Sequence, residues 1–330
     1  MISIGLLGCG RIGQVHARSL MRLPGARLTA LADAVPAAAE VLAAPTGAEI
    51  RDADAILAAS DIDAVIIATP TNLHFDQIHA AAAAGKAIFC EKPIDLSAER
   101  AATCRAAVEA AGVPFMTAFN RRFDPHFAHM EAELRAGAIG AVELVVITSR
   151  DPAPPPVPYI ESSGGLFRDM TIHDFDMARF LLGAEPVEVF ATGSCLVDPA
   201  IGAAGDIDTA AVTLRTATGA LCQINNSRRA TYGYDQRIEV HGAEGMLQAA
   251  NVSAHLVTRA DGAGFRGART MDFFLERYEA AYLAELTHFV EALEAGRPVT
   301  PGIADGVAAQ RLADAAARSL EEGAPARLDR

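Results

Sequence analysis

At 330 residues the chain is long for one hydrophobic core, so two domains are expected, and 51% hydrophobic with 21% charged residues is the composition of a globular protein. A net charge of −13 argues against nucleic acid or an anionic bilayer as partner, since both require a basic patch, and it disfavours a polyanionic substrate. No uninterrupted apolar run reaches the roughly 18 residues a membrane span needs.

Met1-Ile-Ser-Ile-Gly-Leu-Leu-Gly8 lacks a basic leader and reads as structure rather than a signal peptide. Five cysteines, Cys9, Cys90, Cys104, Cys195 and Cys222, have no CxxC spacing and read as reduced thiols of a cytoplasmic protein. No His/Cys cluster has zinc spacing, so no metal is expected.

Taken in order, Ile2–Leu7 is a strand-like run that ends in Gly8-Cys-Gly-Arg-Ile-Gly13, followed by a helical stretch over Gln14–Arg22. GxGxxG alone is a weak signal. Between a strand and a helix it allows the turn, and the close approach of a pyrophosphate to the helix N-terminus. The next run, Arg27–Asp33, ends in an acid 20 residues after Gly13. A carboxylate there accepts from ribose hydroxyls and repels a 2′-phosphate, which favours NAD over NADP. Asp33 also suits a plainer role, capping a helix before Pro36.

The βα alternation continues through the apolar run Ala64–Thr69, an alanine-rich helix, the run Lys86–Cys90, a helix over Ser97–Ala111 and a strand over Pro114–Ala118. Continuous apolar strands suit a parallel sheet covered on both faces. Ligands of such sheets bind beyond the carboxyl ends of the strands, where Thr69, Asn72, His74, Glu91 and Lys92 fall. Strand-like runs alternating with helices thus predict a Rossmann-type dinucleotide-binding domain over residues 1–120.

Beyond Asn120-Arg-Arg-Phe-Asp124 and a helix over Pro125–Ala136 the pattern changes. Val142–Thr148, Val187–Gly193, Thr209–Arg215, Ala220–Asn225 and Gln236–His241 are strand-like runs joined mostly by short turns. They predict an open, mainly antiparallel sheet in an α+β domain over residues 121–330 for substrate binding and oligomerisation. Five prolines between 151 and 163 predict a stiff extended arm. Helices over Leu275–Glu294 and Ile303–Leu320 close the chain and could pack back on the first domain.

Two further features concern chemistry. Only two of the 28 basic residues are lysines, Lys86 and Lys92. A chain that uses arginine almost everywhere keeps lysine where a compact donor that can lose its proton is needed, or keeps it by chance. In Gly164–Gly183, a helix read from Asp169 to Leu182 sets Asp169 and His173 four apart on one face, which continues through Met177 and Leu181 toward the interior. They are either an acid–imidazole pair or a helix cap and a core histidine.

The GxGxxG turn, the Glu91-Lys92-Pro93 tripeptide and the Asp169-to-His173 spacing resemble the glucose-fructose oxidoreductase and inositol dehydrogenase family. The segments Asn120–Asp124, Ser149–Pro152, Gly164–Gly183 and Tyr232–Gly242 resemble its inositol-oxidising members.

The resemblance implies that Lys92, Asp169 and His173 form a catalytic group, and that Asn120, Arg121, Asp151 and Tyr234 sit near a polyol together with Asp169 and His173. It implies that Arg11, Ile12, Asp33, Asn72, His74 and Glu91 contact NAD alongside Gly8, Gly10, Gly13, Thr69 and Lys92, and that the bond before Pro93 is cis. The expected reaction is NAD-dependent oxidation of myo-inositol, or a close cyclitol, to the 2-keto inosose. His173 would be the general base, since imidazole titrates at about 6.5, and Lys92 would donate to the developing alkoxide.

Asp151 stands where relatives carry other polar residues. A scyllo-inositol or aldose dehydrogenase, or a non-catalytic NAD sensor, is the alternative. The family habit of tetramers implies a homo-oligomer.

Overall fold

The computed structural model describes residues 1–328, which divide into two compact units. Met1–Phe123 with Ala280–Gln310 forms the first, and Asp124–Glu279 with the residues from Arg311 on forms the second.

The first unit runs β1 (Ile2–Leu7), α1 (Arg11–Leu20), β2 (Ala26–Ala32), α2 (Pro36–Thr46), β3 (Glu49–Ile50), α3 (Ala53–Ala58), β4 (Ala64–Ile67), α4 (His74–Ala83), β5 (Ala87–Cys90), α5 (Ala98–Ala111) and β6 (Phe115–Thr117). Its six strands are all parallel in the order β3-β2-β1-β4-β5-β6. The pleat sorts the side chains: Ala64 and Ile66 of β4 join one core with Ile4, Leu6, Phe89 and Met116, while Val65 and Ile67 join the other with Ile88 and Cys90. Leu286, Phe289 and Val290 cover the first face, and Ile303 and Val307 help to cover the second. With both faces buried, the strands read as continuous apolar runs. The strand order reverses between β1 and β4, and the crevice at such a point is where α/β sheets bind ligands.

The second unit begins with α6 (Pro125–Arg135), whose N-cap Asp124 accepts from the His126 and Phe127 amides with Pro125 at the first helical position. There follow β7 (Val142–Arg150), α7 (Val157–Ser163), α8 (Ile172–Leu182), β8 (Pro186–Ser194), α9 (Pro199–Ala203), β9 (Thr209–Thr216), β10 (Leu221–Ser227), β11 (Asp235–Gly242), β12 (Gly245–Ala249), the hairpin strands β13 (Arg259–Asp261) and β14 (Gly264–Arg266), and α10 (Phe274–Arg277). The chain then passes through α11 (Glu279–Glu294) and α12 (Ile303–Glu322) to β15 (Ala326–Arg327). The sheet order is β12-β11-β7-β10-β9-β8-β15. It is antiparallel except at its centre, where β7 and β10 run parallel. Helix α8 lies against β7 and β10, while Phe190 and Leu221 remain partly exposed.

Three sequence expectations are corrected here. The arm over 151–163 is not extended throughout: α7 occupies Val157–Ser163, because Pro158 falls in the first turn, where its missing N–H costs nothing. The helix expected over Leu275–Glu294 breaks at Tyr278 into α10 and α11. Asp169 does not open an α-helix: it lies in a π-helical turn, Phe167–Thr171, that precedes α8. Wide turns of this kind interrupt the i→i−4 ladder. Here side chains distant in sequence hold it, as described below.

Candidate active site

In the first unit the glycine turn is shaped by contacts that exclude any side chain. A β-carbon at Gly8 (φ +96°) would lie 2.4 Å from the Ala68 carbonyl oxygen, and one at Gly13 would lie 2.0 Å from that of Gly8. Gly10, exposed and N-capping α1, would meet nothing within 4 Å, so its open side can admit a ligand. Arg11 and Ile12 form the first helical turn beside it. Asp33, just past β2, accepts the Cys9 amide at 2.6 Å and the Val35 amide at 2.7 Å, which pins the carboxylate next to the glycine turn. Ala34 to Ala39 contains no basic residue to receive a 2′-phosphate. A glycine turn open at Gly10, a helix start without an acidic side chain and a carboxylate beside them fit NAD, and Asp33 is the acceptor that would meet its ribose hydroxyls.

At the carboxyl ends of β4 and β5, Asn72 is exposed on a short 3₁₀ turn, and the Thr69 hydroxyl donates to Gln77 at 2.7 Å. His74 is 1% exposed, its ring nitrogens each 2.9 Å from a carbonyl oxygen, those of Thr69 and Pro93. It ties the end of β4 to the turn after β5; burial lowers its pKa, opposed by the two carbonyls. The Lys92–Pro93 bond is cis. Lys92 is half-buried, whereas Lys86 is enclosed with its ammonium donating to the carbonyls of Ala59 (2.5 Å) and Ile62 (2.8 Å). The second lysine of the chain therefore has a structural task. Asn120 and Arg121, in the 3₁₀ turn after β6, are 3% and 5% exposed.

Glu91 lies 2.8 Å from Nε2 of the buried His16, whose ring packs edge-on against Phe89 and Tyr282. One turn from Tyr282 on α11 is Glu285, fully buried, neither carboxylate oxygen of which meets a hydrogen-bond partner among the described residues. Burial, and then the charge of Glu91, push its pKa well above the usual 4.5. Above that ordinary value the unfolded chain has lost this proton while the folded protein retains it, so the group lowers stability as pH rises through the window between the two values. Glu285→Gln should abolish that contribution. Thermal midpoints of variant and wild type, compared from pH 5 to pH 8, should diverge in the variant's favour as pH rises; parallel curves would show that Glu285 ionises normally.

In the second unit Asp169 and His173 occupy successive turns, Asp169 in the π-turn and His173 in α8, both half-buried, with Met177 and Leu181 of the same helix buried. Asp169 accepts from the Tyr159 hydroxyl at 2.9 Å and from Arg228 at 3.3 Å. The turn itself is held from outside. Asp206 accepts the Leu166 amide at 3.0 Å, and Asn226 accepts the Thr171 hydroxyl at 2.7 Å while donating to Asp174 at 2.8 Å. Asp151 follows β7, its amide donating to Ser227 at 2.9 Å, which brings it to the same end of the sheet as Arg228. Tyr234 is 6% exposed, edge-on to Tyr278 at 6.0 Å and to Phe273 at 6.3 Å.

Tyr159, Asp206, Asn226, Arg228, His16 and Glu285 were not singled out for the site by sequence. None belongs to a short motif; Glu285 stands without a hydrogen-bond partner among the described residues, and the others meet theirs through contacts between separate elements.

Residues 2–119 match the oxidoreductase family with an NAD-binding Rossmann fold, and residues 127–248 match the GFO/IDH/MocA C-terminal domain. The chain is 56% identical over 321 residues to an inositol 2-dehydrogenase of Rhizobium meliloti, covering 97% of both chains. Among solved structures it is similar to a myo-inositol dehydrogenase from Corynebacterium glutamicum, at 42% identity, TM-score 0.96 and coverage of 100% and 99%. It is also similar to a scyllo-inositol dehydrogenase from Lactobacillus casei with bound NAD(H) and scyllo-inositol, at 31% identity, TM-score 0.93 and coverage of 99% of each chain. A glycine turn beside Asp33, a cis bond after Lys92 and matches over both halves place the chain in the Gfo/Idh/MocA family of NAD-binding oxidoreductases.

Proposed function

We propose that this protein is an NAD-dependent inositol 2-dehydrogenase, oxidising one secondary alcohol of myo-inositol, or of a close cyclitol, to the ketone. The observation that carries the reading is the half-buried acid–imidazole arrangement on the π-turn and α8, in a chain whose other unit has the carboxylate and open glycine turn suited to NAD. The relative of greatest identity given above bears that activity in its name.

Bound NAD supplies the hydride acceptor. His173 takes the hydroxyl proton as the carbon loses its hydride, and Lys92 donates to the oxygen as it gains alkoxide character. Asp169 stabilises the imidazolium that forms. Asn120, Arg121, Asp151 and Tyr234 recognise the remaining hydroxyls, donors and acceptors suited to a ring that carries one at every carbon. We place this enzyme in the cytoplasm as a homo-oligomer, a tetramer on the family pattern. Five unpaired cysteines support the compartment, and light scattering on the purified protein tests the subunit count. No helix among the described residues is long and apolar enough to cross a membrane.

A spectrophotometric scan of NADH and NADPH formation with myo-inositol, scyllo-inositol, glucose and galactose tests the reading, and turnover confined to the sugars would overturn it. In the same assay Asp33→Ser should raise KM for NAD by about tenfold to a hundredfold, the worth of hydrogen bonds to a charged acceptor, while NADP gains relative to NAD. An unchanged KM would leave Asp33 as a brace for the Cys9 and Val35 amides alone.

A further inference from the structure

Arg228, just past β10, is 1% exposed and heads the fully buried side chains by volume. Its Nη1 donates to Asp169 Oδ2 at 3.3 Å, and its Nη2 lies 3.7 Å from Asp206 Oδ2. Neither Nε nor Nη2 meets a hydrogen-bond acceptor among the described residues. Its backbone amide donates to the Asp208 carbonyl at 2.8 Å, anchoring the residue to the loop that carries Asp206. On the far side of Asp169 the Tyr159 hydroxyl donates to Oδ1 at 2.9 Å, so the two carboxylate oxygens face two donors from different elements.

Arginine cannot shed its charge, and a guanidinium this deep is costly unless its five donors are met. Here most of that capacity goes unused, so stability is a poor explanation for the residue. An apolar side chain of similar volume would fill the space at lower cost if the acids were absent. What the arginine does achieve is directional: it fixes one oxygen of Asp169 and keeps a cation beside a carboxylate that stands one turn before His173.

We propose that Arg228 is a positioning residue for the oxidation, holding Asp169, together with Tyr159, in the orientation that serves His173, while Asp206 offsets the remainder of its charge. The proposal rests on the reading of Asp169 and His173 as catalytic residues. Arg228 touches neither substrate nor NAD in this account; it acts through Asp169. The Cys9 to Gly13 turn and Asp33 belong to the other unit, so NADH affinity should be indifferent to it.

The test measures kcat and KM for myo-inositol, NADH affinity by fluorescence, and the thermal midpoint. Arg228→Lys keeps the charge but loses the forked geometry, and should lower kcat about tenfold with NADH binding unchanged. Arg228→Met leaves two half-buried carboxylates without a counter-ion and is expected to fold poorly. The double variant Arg228→Met with Asp206→Asn removes one of those charges and should recover the thermal midpoint without recovering kcat, which stays about tenfold to a hundredfold low. Asp206→Asn alone keeps a side-chain oxygen to accept the Leu166 amide and should retain kcat.

Wild-type kcat in the folded double variant, or in Arg228→Lys, overturns the proposal and makes the arginine a structural counter-ion. Asp169→Asn separates the two levels of the argument. Full activity in that variant removes Asp169 from the chemistry and the inference with it, whereas a slow Asp169→Asn beside a fast double variant defeats the role of Arg228 alone.

Discussion

Lys92→Arg should lower kcat for inositol oxidation by about 10²–10³-fold, the worth of one well-placed donor to a developing oxyanion, with little change in NADH affinity. The charge is conserved in this substitution, but the geometry is not. Lysine offers a compact ammonium on a flexible stem, while arginine offers a planar fork whose donors cannot converge on one oxygen from the same direction. The chain isolates the experiment well. It has only one other lysine, Lys86, and that ammonium is occupied by the Ala59 and Ile62 carbonyls. Lys92, by contrast, follows β5 at the carboxyl edge of the parallel sheet and precedes the cis bond to Pro93. Steady-state kinetics at saturating NAD and inositol provide the measurement. Near-normal turnover would mean that a cation, and not a lysine, is all the site needs.

His173→Ala should lower kcat by about 10²–10⁴-fold, the usual contribution of a general base, while NADH binding stays close to that of the wild type. The residual rate should climb with pH, because solvent hydroxide then does the work of the lost imidazole, and added imidazole should restore part of it. His173 lies in the first turn of α8, between the π-turn and the buried Met177 and Leu181, so a packing role is the competing explanation. The two accounts part company on the nucleotide: a structural histidine would take the thermal midpoint and NADH affinity down with it. Its residual rate would also ignore added imidazole.

How much of this was legible beforehand follows the range of the interactions. Five of the six parallel strands, the Gly8 to Gly13 turn and the acid closing β2 were readable because each is written in residues a few positions apart, whereas β3, two exposed residues, leaves no apolar run. Apolar runs of strand length punctuated by glycine leave a pattern in one dimension, and the close approaches at Gly8 and Gly13 forbid a side chain. The antiparallel character of the second sheet was readable from its short turns, but the central β7–β10 parallel pair was not, since 70 residues separate the strands and nothing local records which edge a returning strand will take. The burial of His16 against Tyr282 and the stranded carboxylate of Glu285 arise only once α11 lies over the sheet.

The order of residues by itself determined the nucleotide-binding architecture, the expectation of NAD drawn from Asp33, and the choice of the lysine, acid and imidazole proposed for the chemistry. Only the tertiary structure decided how that acid is held. A spacing of four suggested a regular helical pair, whereas Asp169 stands on a wide π-turn between the Tyr159 hydroxyl and the Arg228 guanidinium. The physical reason is that hydrogen bonds accepted by Asp206 and Asn226, 40 and 55 residues away along the chain, can stabilise a turn that local propensity does not favour.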